Sequence, residues 1–550
     1  MKALTGLSFD AVTPQELMRA LLKSPADLLW FGGIGTFIKA VHQSHGDAGD
    51  RANDAIRVDA PEVRAKVIGE GANLGVTQAG RIAFAQAGGR INTDAIDNSA
   101  GVDTSDHEVN LKILLNAAIT ENALTMDERD AVLSELTDSV AAHVLLDNYE
   151  QTLALSIAQA NAPAEFDDAM RMIHELERRG KLNRAVEGLP NDDVARERAQ
   201  KGEGLTRPEL AVLLAYAKLT LFEEVIASDL PDDPAFAPLL AAYFPPAASA
   251  RFAAYLPKHR LKREIIGTVL VNRLVNEGGP LFMHLAQQAS GAGAPAIVRA
   301  YGIATLAFGI DQLRARINAL DGRIEASVQI AMHHDVVSLL QRQTLWMLRN
   351  AGHAPDIAET AALYGRGAEA LKDTFSTLVS PIEFEWIDAV IRDLREKGVP
   401  HDLAEAIGIL PVIAAVTDIV RISADAGAPI DAVAGAFFEA GEAAGIDRLR
   451  AAAAKVRPGG HWDRLALQRI GDDLNASQRA LASLALRQCG SLGGDAKRDE
   501  GVAAVKRWTE GSDVRLAQAR ALIQDLERSG PFTVAKLMLA VGQLRDLAQG

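Results

Sequence analysis

The chain has 550 residues, enough for about three or four domains at roughly 150 residues each. Hydrophobic residues make up 48% and charged residues 23%, an ordinary globular balance, while 72 acidic against 57 basic residues leave a net charge of -15; this excludes a general nucleic-acid binder, which needs a concentrated basic surface. A single cysteine, Cys489, excludes an intrachain disulfide framework and any all-cysteine metal site, and fits a reducing compartment.

The first residues, MKALTGLSFDAVTPQEL, lack the apolar core of a signal peptide, and no run of about 18 apolar residues occurs; the expectation is a cytoplasmic protein with no membrane insertion. In VTPQELMRALL, Thr13 is placed as an N-cap, with Pro14 at the first helical position, Glu16 closing a capping box, and Val12 and Leu17 spaced for a hydrophobic staple. ADLLWFGGIGTF follows, and Asp27 to Phe31 reads as a short buried strand emptying into a loop at Gly32, Gly33 and Gly35. Arg64 to Ile68 repeats that arrangement. Thr77 to Ala87 has helical spacing through Ile82, Phe84 and Ala85, ends at Gly88 and Gly89, and leads to a third strand at Arg90 to Ile96. Strand, helix, strand predicts a parallel unit.

A further helix is expected from Lys112 to Leu124, and from about residue 125 helical signals dominate. Thr125 and Glu128 have capping-box spacing, and ALSIAQANA ends a helix before Pro163. Gly204 to Phe222 is the clearest helix: Thr206 as N-cap, Glu209 as its capping-box partner, Leu205 and Leu210 as staple, and Leu210, Leu213, Leu214 and Ala217 on one apolar face. The basic stretch HRLKR, His259 to Arg263, suits a solvated helix face or intramolecular ion pairs better than nucleic acid. Pro- and Gly-containing breaks at 230–238, 243–249, 290–295 and 456–462 separate later helices. No fixed-period repeat occurs, and the alanine-rich tail after Pro429 suits packed helices, although AAAAK also suits a solvent-facing segment.

Neither glycine cluster is a dinucleotide fingerprint, because GIGTFI puts Ile38, and GEGANL puts Leu74, where the third glycine of G-x-G-x-x-G should stand. There is no P-loop either. The loops GGIGT, GEGAN and DNSAG nevertheless follow three strand-like segments, and in open α/β sheets ligands lie beyond the carboxyl ends of strands. Asn73 and Asn98 each offer a donor and an acceptor suited to a ribose hydroxyl or carboxamide; an Asx-turn or helix cap is the plainer use of either. TSDHE, Thr104 to Glu108, lies near an expected helix start, where Ser105 or Asp106 could equally be an N-cap. His107 has no partner histidine at helical spacing, and the adjacent histidines of MHHD, Met332 to Asp335, point to different helix faces, so no metal site is expected. Cys489 has no nearby histidine to make it a nucleophile.

The order of these segments carries a resemblance. DLLWFGGIGTF, DRANDAIRV, AKVIGEGANLGVTQAGR, GGRINTDAIDNSAGVDTSDHEVN and GLTRPELAVLLAYAK closely resemble the carboxy-terminal part of the large NAD-specific glutamate dehydrogenases of bacteria, as does HRLKREIIGTVLVNRLVNEGGP, with a thinner match after about residue 350. The wider family has a G-A-N turn and an A-N-A-G-G-V-x-x-S-x-x-E segment; Gly71 to Asn73 matches the first and Asp97 to Glu108 resembles the second, with Asp97 in place of alanine. The resemblance implies NAD as cofactor and L-glutamate and 2-oxoglutarate as substrate and product. It implies that Gly71, Ala72, Asn73 and Asn98 contact the nicotinamide riboside, that Ser105 binds the substrate's side-chain carboxylate, and that Gly32 and Gly33 lie near ribose or pyrophosphate.

The fold implied is an α/β, partial Rossmann-like segment, doubly wound but incomplete, followed by a large mainly α-helical region. Its expected parts are 1–115 as the second half of the NAD-binding domain, 116–200 as a helical connector, 201–350 as a helical domain and 351–550 as further helical chain. The family's catalytic lysines, aspartate and glycine fingerprint lie upstream of the matching segments, so no catalytic residue is assigned here. Lys39 and Lys66 sit in no such motif and read as surface or strand-edge residues. The expectation is therefore a carboxy-terminal fragment that needs the missing N-terminal portion, within a homo-oligomer. Two rival readings stand beside it: a non-catalytic helical scaffold with a vestigial half-domain, and a complete dehydrogenase of other specificity whose acid/base groups converge on Asn98 from the helical region.

Overall fold

The computed structural model describes residues 11–548 apart from 353, 373, 491 and 512. They are mainly helical, with two small parallel sheets, and divide into two compact units, Met1–Val298 and Arg299–Gly550.

The first unit opens with α1 (Pro14–Leu22), whose capping box forms as spaced: Glu16 N donates to Thr13 Oγ1 at 3.3 Å and Thr13 N to Glu16 Oε2 at 2.8 Å. Then come β1 (Leu28–Phe31), β2 (Ile38–Lys39), β3 (Val58–Asp59), β4 (Val67–Glu70), α2 (Gln78–Gln86, capped by Thr77) and β5 (Arg90–Ile91). One sheet runs β1-β4-β5, all parallel, with Leu28 opposite Val67 and Ile68 opposite Ile91; β2 and β3 form a separate parallel pair with Ile38 opposite Val58. Phe31, Ile38, Val58, Ile68, Val76, Phe84 and Ile91 make the core between the sheets and α2. On the other face of β1, Leu28 and Trp30 are exposed, and the Trp30 indole covers Gly69 and Gly71.

The third strand is shorter than the expected Arg90 to Ile96, because the chain turns into α3 (Asp94–Asp97). The acids of that turn are used as acceptors: Glu70 N donates to Asp97 Oδ2 at 2.9 Å and Leu74 N to Asp94 Oδ2 at 2.8 Å. DNSAG is accordingly a helix junction instead of a loop. Asn98 joins α3 to α4 (Ser99–Thr120), which begins well before the expected Lys112 and contains all of TSDHE, so neither Ser105 nor Asp106 is an N-cap. Its polar residues are accommodated by bonding back along the helix, Thr104 Oγ1 to Ala100 O at 2.7 Å and Ser105 Oγ to Gly101 O at 3.4 Å. Lys39 is buried in β2 and paired with Asp59, whereas Lys66 is exposed and paired with Asp27.

The remaining helices of this unit include α5 (Met126–Glu135, with the Thr125–Glu128 capping box), α6 (Thr137–Asn161), α7 (Phe166–Arg178), α8 (Asp192–Lys201), α9 (Arg207–Ile226), α10 (Ala237–Tyr243), α11 (Pro246–Arg251), α12 (Lys262–Gly278) and α13 (Phe282–Ser290). In α9 the whole expected stripe, Leu210, Leu213, Leu214 and Ala217, is buried, and Glu209 both caps Thr206 and accepts from buried Arg198 at 2.8 Å. Arg263 of HRLKR pairs with Asp232 and bonds the Ser228 carbonyl at 3.0 Å, the intramolecular use expected of it.

In the second unit, helix Ile430–Ala444 is deeply buried, with Val433, Ala436, Phe437 and Ala440 at 1% exposure or less. Its small residues allow a very close crossing: a Cβ on Gly501 of helix Arg498–Gly511 would stand 1.8 Å from Ala432 O. In helix Ala326–Asn350 the adjacent histidines separate as expected, His333 buried and His334 exposed. No single described helix is long and apolar enough to cross a membrane.

Candidate functional site

The carboxyl ends of β1 and β4 and the junction after β5 lie at one edge of the three-stranded sheet, and the residues singled out in the sequence lie along it or on the helix leaving it. Parallel pairing fixes this edge, because Phe31 stands opposite Glu70 and the glycine loops leave side by side. Asn73 ends the second loop and Asn98 begins α4, and the two side chains meet: Asn98 Nδ2 donates to Asn73 Oδ1 at 2.8 Å. Each amide keeps further donor and acceptor capacity after that bond.

Three groups hold this pair in place. Asp94 fixes the backbone at Leu74, which lies in the left-handed region at φ 61°, an uncommon conformation for leucine that the turn imposes. Asp97 fixes Glu70 N and accepts from Asn92 Nδ2 at 2.6 Å. Asn148 of α6 donates to both Ile96 O (2.8 Å) and Ser99 Oγ (2.9 Å), anchoring the start of α4. Beneath them Glu70 is fully buried with Arg81, whose Nε and Nη2 donate to its two oxygens at 2.6 and 2.9 Å, and Val76 N donates to Glu70 Oε1. Arg207, at the start of α9, bonds Asn92 and the Thr152 carbonyl; burial pushes its guanidinium down to about 10.

Of the other sequence candidates, Gly32 and Gly33 are exposed after β1, and a Cβ on Gly33 would meet nothing within 4 Å. Gly71 is different, since a Cβ there would stand 2.3 Å from Trp30 Cζ2. Ala72 is buried. Ser105 lies exposed within α4 and bonds only back to Gly101 O, so the fold brings Asn73 and Asn98 into contact but leaves Ser105 apart from both.

A second polar group on α4 was missed by a sequence reading that looked only for histidine partners. Asp103 and His107 share a face of α4, and Asp147 approaches them from α6. His107 is 1% exposed, stacks on Tyr243 with ring centroids 4.4 Å apart, and meets His143 edge-on at 5.8 Å. Burial, then the neighbouring Asp147, raises Asp103 to about 6. Burial lowers Lys218 of α9 to about 8, opposed by the charges of Asp147 and Asp103; its ammonium donates to Gln151 Oε1 at 3.3 Å. The i, i+4 spacing of Asp103 and His107 is the only local sign of this group in the sequence, since Asp147 and Lys218 arrive through tertiary packing.

The family described as "Bacterial NAD-glutamate dehydrogenase, catalytic domain" matches residues 1–158, and that described as "Glutamate dehydrogenase, C-terminal" matches residues 202–546. The chain is 37% identical over 549 residues to an NAD-specific glutamate dehydrogenase of Pseudomonas aeruginosa, covering 100% of this chain and 34% of that protein. It is 35% identical to the one of Halomonas elongata, again covering 100% of this chain and 34% of the relative. For the one of Mycobacterium tuberculosis the identity is 37%, over 98% of this chain and 33% of the relative. The chain thus spans about a third of the length of these relatives.

Proposed function

The chain belongs to the glutamate dehydrogenase family, and from that membership we propose that it works as part of an NAD-dependent glutamate dehydrogenase, oxidatively deaminating L-glutamate to 2-oxoglutarate and ammonium. The observation that carries this reading is the Asn73–Asn98 bond at the carboxyl edge of a parallel sheet, where α/β proteins bind dinucleotides.

Residues 1–115 are read as the second half of the NAD-binding domain, a partial Rossmann-like segment; 116–200 as connector; and 201–350 and 351–550 as helical regions. The Asn73 and Asn98 amides, with Gly71 and Ala72 in the same turn, would hold the nicotinamide riboside. Gly32 and the sterically open Gly33 would lie against ribose or pyrophosphate, and exposed Ser105 would bind the side-chain carboxylate of glutamate. The chemistry of these groups suits a cofactor wall, because the amides have polar capacity beyond their mutual bond and nothing overhangs Gly33. Bound NAD supplies the hydride acceptor for the substrate's α-carbon. This chain's contribution is orientation, because Asp94, Asp97 and Asn148 fix the two amides from behind before any ligand arrives. The cationic and proton-transferring groups come, in this proposal, from the remaining two thirds of the family's length, within a cytoplasmic homo-oligomer.

Titration calorimetry of the chain with NAD tests the reading. Binding that is weakened by Asn98→Ala and by Asn73→Ala is expected. NAD binding unaffected by either substitution refutes the assigned wall, and no NAD binding even in the presence of the rest of the enzyme favours a non-catalytic helical scaffold.

A further inference from the structure

We propose that Asp103, His107 and Asp147 form a binding site for a divalent transition-metal ion, of the zinc or manganese type, that ties α4 to α6. Three ligand atoms, one from each residue, lie within 4.8 Å of one another. His107 Nε2 stands 3.8 Å from Asp103 Oδ1 and 3.9 Å from Asp147 Oδ2. These separations are too long for hydrogen bonds, which run to about 3.2 Å. They are close to the separation of two ligands around a shared ion, roughly 3.4 Å for tetrahedral zinc with bonds of about 2.0–2.2 Å.

The burial of His107 is the independent observation. Its imidazole is 1% exposed and neither ring nitrogen has a hydrogen-bond partner, although a buried polar group without a partner costs about 1–3 kcal/mol. Tyr243 stacks on the ring and His143 closes its edge, so Nε2 is held toward the two carboxylates by packing. Imidazole with two carboxylates is a donor set for zinc and manganese, whereas magnesium and calcium prefer oxygen alone. Asp147 is exposed, which gives an ion a path from solvent and leaves room for water as a further ligand. Lys218 is the competing cation and its charge acts on both carboxylates, but its ammonium donates to Gln151 Oε1 at 3.3 Å and, among the described residues, forms no ion pair with either. Local geometry explains the convergence: Asp103 and His107 are one helical turn apart, and Asn148, next to Asp147, is bonded to Ile96 and Ser99 at the start of α4.

The test uses the full 550-residue chain stripped of metal with a chelator, titrated with Zn²⁺ by calorimetry and with Co²⁺ followed by visible absorption. One tight equivalent of Zn²⁺ and visible d–d bands from Co²⁺ are expected. Asp147→Asn, at an exposed position chosen to spare the fold, should weaken Zn²⁺ by at least about tenfold and abolish the cobalt bands, and Asp103→Asn should do the same. The absence of a tight equivalent in the unaltered chain overturns the proposal. So does unchanged Zn²⁺ affinity in Asp147→Asn with an unaltered far-ultraviolet spectrum.

Discussion

Asn98 donates its side-chain amide to Asn73 Oδ1 at 2.8 Å, joining the turn after β4 to the residue that precedes the helix leaving the sheet. Neither residue depends on the other for its backbone, because Asp94 and Asp97 tie the two segments together without the asparagine pair and Asn148 anchors the second of them. Replacing either asparagine by alanine should therefore leave stability within about 1 kcal/mol of the parent. It should lower NAD affinity by up to about tenfold, the worth of one or two hydrogen bonds to a ligand. The double variant should lose less than the sum, because the single changes already break the bond they share. Calorimetric NAD titration of the three variants checks this; strictly additive losses would mean that the pair does not act as a unit.

What the sequence made legible was local. Thr13 with Glu16, Thr125 with Glu128 and Thr206 with Glu209 are capping boxes whose partners lie three residues apart, so residue type and spacing suffice. The strand at Leu28–Phe31 and the buried stripe of α9 were equally readable from period and glycine punctuation, whereas the second strand, expected at Arg64 to Ile68, forms three residues later at Val67–Glu70 and runs through Gly69. The start of α4 was not, because Gly101 and the polar run around it have the composition of a loop, and the helix owes its position to Asn148 and to the Asp97 acceptor. At the candidate site the glycine and asparagine loops could be placed at one sheet edge. The coverage of Gly71 by Trp30 and the arrival of Asp147 beside His107 could not, since each is a tertiary contact without a short-range signature.

The buried Glu70–Arg81 pair gives a stability prediction. Glu70 is 0% and Arg81 4% exposed, and the carboxylate also accepts from Val76 N, so both charges are fully committed. Arg81→Met should lower stability by about 3–5 kcal/mol by leaving a buried carboxylate unpaired. Adding Glu70→Gln to it should recover part of that loss, because the glutamine oxygen still accepts from Val76 and only Asp94, which Arg81 also pairs at 3.1 Å, is left without its cation. Denaturant midpoints of the single and double variants decide the matter; a double variant less stable than Arg81→Met alone would contradict it.

Gly71 can be tested against Trp30. A Cβ at Gly71 would stand 2.3 Å from Trp30 Cζ2 and 2.8 Å from Cε2, so alanine must displace the indole. Trp30 is 58% exposed and has solvent to move into, so Gly71→Ala should destabilise by only about 1–3 kcal/mol, the usual overpacking range. The same substitution in a Trp30→Ala background should be close to neutral. Thermal melting of the four proteins separates this from a backbone requirement for glycine, which would persist without the tryptophan.

His333 makes the second unit sensitive to acid. It is 1% exposed in helix Ala326–Asn350, and burial, with Arg314 nearby, lowers its imidazole from 6.5 to about 3. The native state therefore keeps this histidine neutral where the unfolded chain takes up a proton. Stability from this group is complete above pH 6.5 and is lost as the pH falls toward 3, at about 1.4 kcal/mol per pH unit. His333→Leu, which replaces the ring with an apolar side chain, should remove that share of the slope while changing stability much less at about pH 7.5, where both states hold the ring neutral. Denaturant unfolding of the two proteins at about pH 7.5, 6.0 and 5.0 measures the difference. Parallel pH profiles would mean that His333 is already protonated in the native state, or that its buried environment opens before the unit unfolds.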